Sequence, residues 1–432
     1  MAAIVDLLYL MTITAISPMV LYRMIRHKRY RTGWSDRFGK IIRKHPEKKC
    51  IWIHAVSVGE VNATKTIIRE LQNKFANFEI VLSTTTDTGF ARANALFGKN
   101  LKVFYFPFDL SWTMSRAFGR IRPEICLLME LEVWPNFVQI SQRLGVPVVI
   151  VNGRISDRSF SRYKKIKPVV KNIFKKIALT LAQTDEYAHR FKEIGCPAEQ
   201  VIVTGSLKYD TAQITDKVEG ADTLAAELKL ENNRLWVAGG TGNDEEKIII
   251  ETYLKLKQEE KFNDLRLAIV PRKPERFDEV AGLVEQMGLG LVRYSKIKEK
   301  TGKPATNRQT VILGDTMGDL RKFYSLASLI FVGRSLVPMG GSDMAEAAAL
   351  GKCTIFGPYA FNFKQTVDAL LEENGSIMVE DQQGLLETIK RCLLEPDYAR
   401  TIAKNGQKVI RENQGATAKS IDAIAKILNT AR

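Results

Sequence analysis

The sequence predicts an α/β protein made of two doubly wound, Rossmann-like halves, and three observations carry that prediction. Its 432 residues exceed one ordinary domain and are enough for two buried cores. From residue 50 onward, short apolar runs alternate with amphipathic stretches, the pattern of a parallel sheet built from βα units. These runs fall into two sets separated by a polar, weakly patterned stretch at 209–233.

The chain begins with a different kind of segment. Residues 4–22 are largely apolar, with Asp6 as the only charge, and are long enough to cross or deeply enter a bilayer. Eleven Lys and Arg follow between 23 and 49 against Asp36 and Glu47, so the positive-inside tendency puts the remainder in the cytoplasm. The basic flank follows the apolar run instead of preceding it. Residues 1–30 therefore read as an uncleaved anchor or monotopic segment, not as a cleaved signal peptide.

The first half, 31–210, has strand-like runs at 51–55, 80–83, 102–106, 125–129, 146–151, 178–182 and 201–204. Helical stretches separate most of them, as at 61–75, where Ile67, Ile68 and Leu71 lie on one side. A linker is expected at 211–233. The second half, 234–415, has runs at 235–239, 267–270, 289–293, 310–313, 329–332, 353–356 and 376–379, and a C-terminal helix is expected within 416–432.

Composition narrows the function. The net charge of +16 is unusual for a globular chain and points to an anionic partner: nucleic acid, an anionic membrane face or a phosphorylated ligand. Five cysteines, odd in number and without CxxC spacing, read as reduced buried thiols of a cytosol-facing protein. Four scattered histidines argue against a zinc site. Nine Lys and Arg between 154 and 176 against Asp157 alone form either a solvated helix face or a surface for lipid phosphates. Sparse aromatics there argue against a nucleic-acid platform.

Two such halves with a cleft between them bind ligands beyond the carboxyl ends of their strands. After the first strand, Ser57 and Gly59 make a tight turn and Glu60 opens a helix, either complementing its dipole or serving as a general base. Glu130 and Glu132 follow the fourth strand as helix-start acids or as acceptor-side carboxylates, and Arg154 follows the fifth. In the second half, Gly239, Gly240 and Gly242 permit close backbone approach to a ligand, and Arg272 is suited to pair with a phosphate. A loop with Gly340 and Gly341 then leads into a short Ala-rich helix, which suits a phosphate. Glu346, one turn in, is placed for ribose hydroxyls, or else pairs with Asp343 in a capping box.

The motifs HAVSVGE (54–60), STTTDTGFARA (83–93), FPFD (106–109), MELEVWPNF (129–137), NGRIS (152–156), GSLKYD (205–210), PRKPERF (271–277), LGDTMGDL (313–320) and GG…EAAALGK…FGPYAFNF (340–363) are similar, in order and spacing, to those of the Kdo transferases. The resemblance extends from the N-terminal segment almost to the C-terminus. It implies a GT-B glycosyltransferase that moves 3-deoxy-D-manno-octulosonic acid (Kdo) from CMP-Kdo to a lipid A precursor at the cytoplasmic face of the inner membrane, with no metal or cofactor. By motif, Glu60 matches the catalytic base and Glu130 a second essential acid. Arg154, Lys208 and Arg272 match positions for the donor's phosphate and carboxylate, and Glu346 matches the ribose position. Gly240, Lys273, Gly340, Gly341, Ser342 and Asp343 complete the expected donor site, and Ser57 and Gly59 border the acceptor. The chain departs from the family pattern at Lys273 (usually His), at Ser342 and Asp343 (usually HN) and in AGGTGNDE at 238–245. Another activated sugar on a lipid acceptor, or an inactive basic membrane-binding homologue, is the alternative. A nicotinamide dehydrogenase is disfavoured, since the first strand lacks a GxGxxG turn.

Overall fold

The computed structural model describes residues 2–26, 32–230, 233–302 and 310–430. It divides into two compact units, Met1–Thr211 with Gln414–Arg432, and Ala212–Asn413.

The first unit is built on a seven-stranded sheet: β1 (Lys49–His54), β2 (Phe78–Thr84), β3 (Lys102–Tyr105), β4 (Ile125–Met129), β5 (Val148–Gly153), β6 (Leu179–Ala182) and β7 (Val201–Val203). The strands are parallel and ordered β3-β2-β1-β4-β5-β6-β7. Every residue of β4 and β5 is buried, as expected of a parallel sheet covered on both faces. Trp52 anchors one side, with its ring centroid 5.0 Å from Phe137 and 5.2 Å from Phe118. The order reverses direction between β1 and β4, whose ends are aligned through His54 and Leu128. That switch point leaves a crevice above the strand ends, which places the loops after β1 and β4 side by side.

The second unit repeats the plan with β8 (Arg234–Thr241), β9 (Leu265–Pro271), β10 (Gly290–Arg293), β11 (Thr310–Leu313), β12 (Leu329–Val332), β13 (Cys353–Phe356) and β14 (Ile377–Met378). Their order is β10-β11-β9-β8-β12-β13-β14, so its switch point lies between β8 and β12. All five cysteines are buried and free.

The structure refines three of these readings. The stretch 212–230, anticipated as part of a linker, belongs to the second unit and contains the helix Ala221–Glu227, whose Leu224 is fully buried. The C-terminal helix Ala416–Thr430 belongs to the first unit, because its Ile421, Ile424 and Leu428 share a core cluster with Ile67 and Leu71 of helix Val58–Lys74. The N-terminal apolar run does fold as a helix, Ala2–Arg26, but no helix among the described residues is long and apolar enough to cross a membrane. Asp6, Thr12, Thr14, Ser17 and an internal Pro18 dilute its hydrophobicity. Part of the notional span is also engaged elsewhere, since Asp6 hydrogen-bonds to Ser111 and Asn136 of the first unit.

Candidate functional site

In the first unit the chain leaves β1 through a short turn, and Ser57 caps helix Val58–Lys74. The Ser57 hydroxyl donates to Glu60 Oε1 (2.8 Å), and Val56 N donates to Oε2 (2.9 Å). Glu60 is therefore a helix-start acid and also a buried one, 8% exposed. Burial, and secondarily the charge of Glu130, push its carboxyl above the ordinary value.

β4 ends at Met129, and Glu130 then adopts φ 54° while its N–H donates to Val151 O (2.9 Å). A left-handed non-glycine residue costs about 1–3 kcal/mol, a strain that concentrates at functional sites. The chain continues through Leu131–Trp134 into helix Pro135–Arg143, which starts with proline in its first turn. β5 ends at Gly153, where an added Cβ would meet Phe191 at 2.9 Å, and Arg154 follows. Ser156 then caps helix Asp157–Lys165. Glu130, Glu132, Trp134, Arg154, Ser159 and Tyr163 line a cavity of about 470 Å³ above these strand ends. Burial, then the charges of Glu60 and Glu130, push Glu132 up to about 7. Three carboxyls thus crowd one crevice, and the charge of each neighbour adds to burial in disfavouring ionisation of Glu60 and Glu132. Tyr163 is pushed up as well, by burial and then by Glu132.

In the second unit Gly239 and Gly240, at the end of β8, and Gly242, just after it, make room for side chains of the protein itself. A Cβ on Gly239 would lie 2.4 Å from the Tyr324 hydroxyl, one on Gly240 2.6 Å from Ser342 Oγ, and one on Gly242 2.5 Å from Met339 Sδ. Gly240 also has φ 67°, and Ser342 Oγ donates to its carbonyl at 2.8 Å. Gly340 and Gly341 have φ 90° and 82°, and Asn362 and Ala360 press against them. Asp343 caps helix Met344–Ala349 by accepting from Ala345 N (3.0 Å), so that part of the capping-box alternative is present. Burial, then Glu346 and Asp343, push the Tyr324 hydroxyl well above its ordinary value, while Arg272 pulls it down. Arg272, Asp343 and Glu346 are therefore gathered around one buried tyrosine. Arg272 and Lys273 are exposed, and the short 3-10 turn Pro274–Arg276 follows with Pro274 at its start.

Sequence reasoning missed Glu245. Fully buried, it accepts from Arg334 N (2.6 Å), Ser335 N and Leu336 N (both 2.9 Å) and Gly242 N (3.4 Å), tying the loop after β12 to the loop after β8. Within the run Asp244-Glu245-Glu246 nothing distinguishes it from an ordinary helix-start acid. Ser156, Ser159 and Tyr163 were also missed, because only folding of the helix Asp157–Lys165 brings them to the cavity, and so was Trp134 at the start of helix Pro135–Arg143. Among the predicted residues, Ser57 and Gly59 sit in the turn that holds Glu60, Glu130 lies near enough to act on Glu60 by its charge, and Glu130 and Arg154 line one cavity. Lys208 lies half-buried in the short helix Leu207–Thr211, whose start is held by Asn152 Oδ1 accepting from Leu207 N (3.1 Å). No group of His, Cys, Asp and Glu suited to a metal occurs among the described residues.

Residues 32–211 match the family model of the 3-deoxy-D-manno-octulosonic-acid transferase (kdotransferase). The 3-deoxy-D-manno-octulosonic acid transferase of Haemophilus influenzae is 33% identical over 406 residues, 94% of this chain and 93% of that protein. The chain belongs to the Kdo transferase family. It is accordingly a glycosyltransferase. The Bordetella pertussis 3-deoxy-D-manno-octulosonic acid transferase, 29% identical, covers 96% of the chain and 98% of its own length. The UDP-GlcNAc 2-epimerase from Neisseria meningitidis, solved bound to UDP-GlcNAc, covers 88% of this chain and 100% of that one at 14% identity and a TM-score of 0.57. At that identity the likeness concerns the fold, two parallel α/β units, in agreement with the expected GT-B class.

Proposed function

We propose that this Kdo transferase takes Kdo from CMP-Kdo and attaches it, with inversion and without a metal, to a hydroxyl of a lipid A precursor such as lipid IVA in lipopolysaccharide biosynthesis. The observation that carries the reading is the crowding of Glu60, Glu130 and Glu132 at the β1/β4 switch point, beside Arg154 and above a cavity of about 470 Å³. A carboxylate raised toward neutrality is a better base, and Glu60 removes the proton of the attacking hydroxyl as the new glycosidic bond forms. Glu130 orients the acceptor sugar, and Ser57 and Gly59 border it. The bond between the sugar and the CMP phosphate breaks in the same displacement. Arg272 and Lys273, with the start of helix Met344–Ala349, offset the negative charge growing on the departing CMP. Arg154 and Lys208 contribute positive charge toward the donor's phosphate or carboxylate. Glu346 receives the ribose hydroxyls, and Gly240, Gly340, Gly341, Ser342 and Asp343 shape the loops around them.

The membrane face rests on separate observations. Leu7, Leu10, Met11, Ile16, Met19, Tyr22 and Ile25 of helix Ala2–Arg26 are exposed, as is Trp112. Ile166 and Val169 are exposed among the lysines of helices Asp157–Lys165 and Lys167–Phe174. Exposed apolar side chains bordered by basic ones suit a helix lying in the anionic cytoplasmic leaflet of the inner membrane.

The test is to incubate the detergent-solubilised protein with CMP-Kdo and a tetraacylated lipid A precursor and to weigh the lipid. Mass gains in Kdo units support the reading and count the sugars added. An unchanged lipid with folded protein sinks the donor assignment and moves the search to other activated sugars, guided by Lys273 and Asp343.

A further inference from the structure

The apolar N-terminal run carries one charge, and the structure gives that charge a use. Asp6 Oδ1 accepts from Ser111 N (2.8 Å) and from Asn136 Nδ2 (2.9 Å), and Oδ2 accepts from the Ser111 hydroxyl. The N-cap of helix Ser111–Ile121 is Leu110, which offers no side-chain cap. A carboxylate from a different helix therefore supplies the cap that the local sequence lacks, with the sign the helix dipole favours. One turn further, the Tyr9 ring lies 6.5 Å from the Trp134 ring. Asp6 and Tyr9 are three residues apart and share a helix face, whereas Leu7, Leu10 and Met11 remain exposed.

Both contacts land on the segment that presents the carboxyls. Trp134 lines the cavity beside Glu132, and Asn136 lies in the first turn of helix Pro135–Arg143. Asp109 grips Asn136 from another side: its carboxylate accepts from Asn136 N (2.9 Å) and Phe137 N (2.7 Å), and its carbonyl accepts from Asn136 Nδ2 (2.6 Å). At its other end the segment is held by Glu130 N donating to Val151 O. Residues 130–136 are thus clamped between the sheet, Asp109 and the N-terminal helix.

We propose that Asp6 is a positioning residue for transfer: it docks the N-terminal helix on Ser111 and Asn136 and thereby fixes the segment that holds Glu130 and Glu132 at the acceptor cavity. The inference rests on the reading of that cavity as the acceptor site. It also accounts for a carboxylate in an otherwise apolar helix, which a purely lipid-seeking helix has no reason to carry.

The experiment uses the full chain with vesicles of phosphatidylethanolamine and phosphatidylglycerol. Asp6→Ala lowers kcat about ten- to a hundredfold through a small displacement of the reacting groups. It leaves the donor KM and co-sedimentation with vesicles unchanged. Asp6→Asn, which keeps an acceptor for Ser111 without the charge, gives an intermediate rate and serves if the alanine variant does not fold. Asn136→Ala added to Asp6→Ala costs less than it does alone, since both remove one contact. Wild-type transfer by folded variants, or a loss that tracks release from the vesicles, overturns the proposal. A Glu130→Gln control separates the two claims. If that control is inactive while Asp6→Ala is fully active, only the positioning role fails. If Glu130→Gln is itself fully active, the acceptor-cavity reading fails.

Discussion

The two switch points share a topology but are built from opposite materials. Above β1 and β4, burial and neighbouring carboxylates push Glu60 and Glu132 upward, and Glu130 is held in a strained backbone conformation. Above β8 and β12, burial pushes the Glu245 carboxyl up as well, but four backbone N–H groups answer it and pull it back down, and the glycines make room for Tyr324, Ser342 and Met339. A buried carboxylate met by four donors reads as scaffolding, whereas carboxyls raised by one another's charge are candidates for proton transfer. On the proposed function, one region takes a proton from the acceptor and the other keeps loops in place around the nucleotide.

The comparison breaks most visibly at Glu60. Glu60→Gln keeps the shape of the turn and removes the base, so transfer falls by about 10³-fold, or about 4 kcal/mol of barrier, in a steady-state assay. In the second unit the corresponding loss is one of folding. Glu245→Ala leaves four backbone N–H groups without their acceptor and lowers stability by about 3 kcal/mol in urea unfolding.

Glu132→Gln sharpens the contrast because it acts in the other direction. The Glu132 carboxyl rises from an ordinary 4.5 to about 7 on folding, so the folded state binds that proton more tightly than the unfolded one. The stabilisation from the bound proton is complete below 4.5 and is lost as pH rises through 7. Glutamine does not ionise, so the variant gains up to about 3 kcal/mol over wild type at pH 8 relative to their difference at pH 4, as read by urea midpoints at both. The smallest effect is expected at Gly240→Ala, where φ 67° and the Ser342 hydroxyl oppose a methyl group. A strain of about 1–2 kcal/mol appears there as weaker CMP binding, with kcat at saturating donor little changed.

Most of the scaffold was legible in the sequence because parallel strands buried on both faces read as short apolar runs, and all fourteen anticipated runs lie on observed strands. The places of Glu60 and Glu130 just beyond strand ends were legible for a related reason, since strand ends can be located in the alternating pattern. What a carboxyl experiences was not legible. Glu132 and Glu245 look alike as acids near helix starts, yet one is surrounded by other carboxyls and the other by amides from a loop nearly 90 residues away. The neighbours of Gly239, Gly240 and Gly242 were hidden in the same way, since a gap at one residue says nothing about which side chain will fill it. The fate of the terminal helices was hidden too. An amphipathic period announces an apolar face but not its partner, so neither the return of Ala416–Thr430 to the first unit nor the docking of Asp6 had a signal beyond one conspicuous charge.

The most direct test of the division of labour is calorimetric titration of CMP into wild type, Glu60→Gln and Arg272→Ala, paired with single-turnover transfer at saturating CMP-Kdo. The account predicts that Glu60→Gln binds CMP as wild type does and fails to transfer, while Arg272→Ala binds CMP at least tenfold more weakly and retains transfer once donor saturates. Weak CMP binding by Glu60→Gln, or unaltered CMP binding by Arg272→Ala, would contradict it.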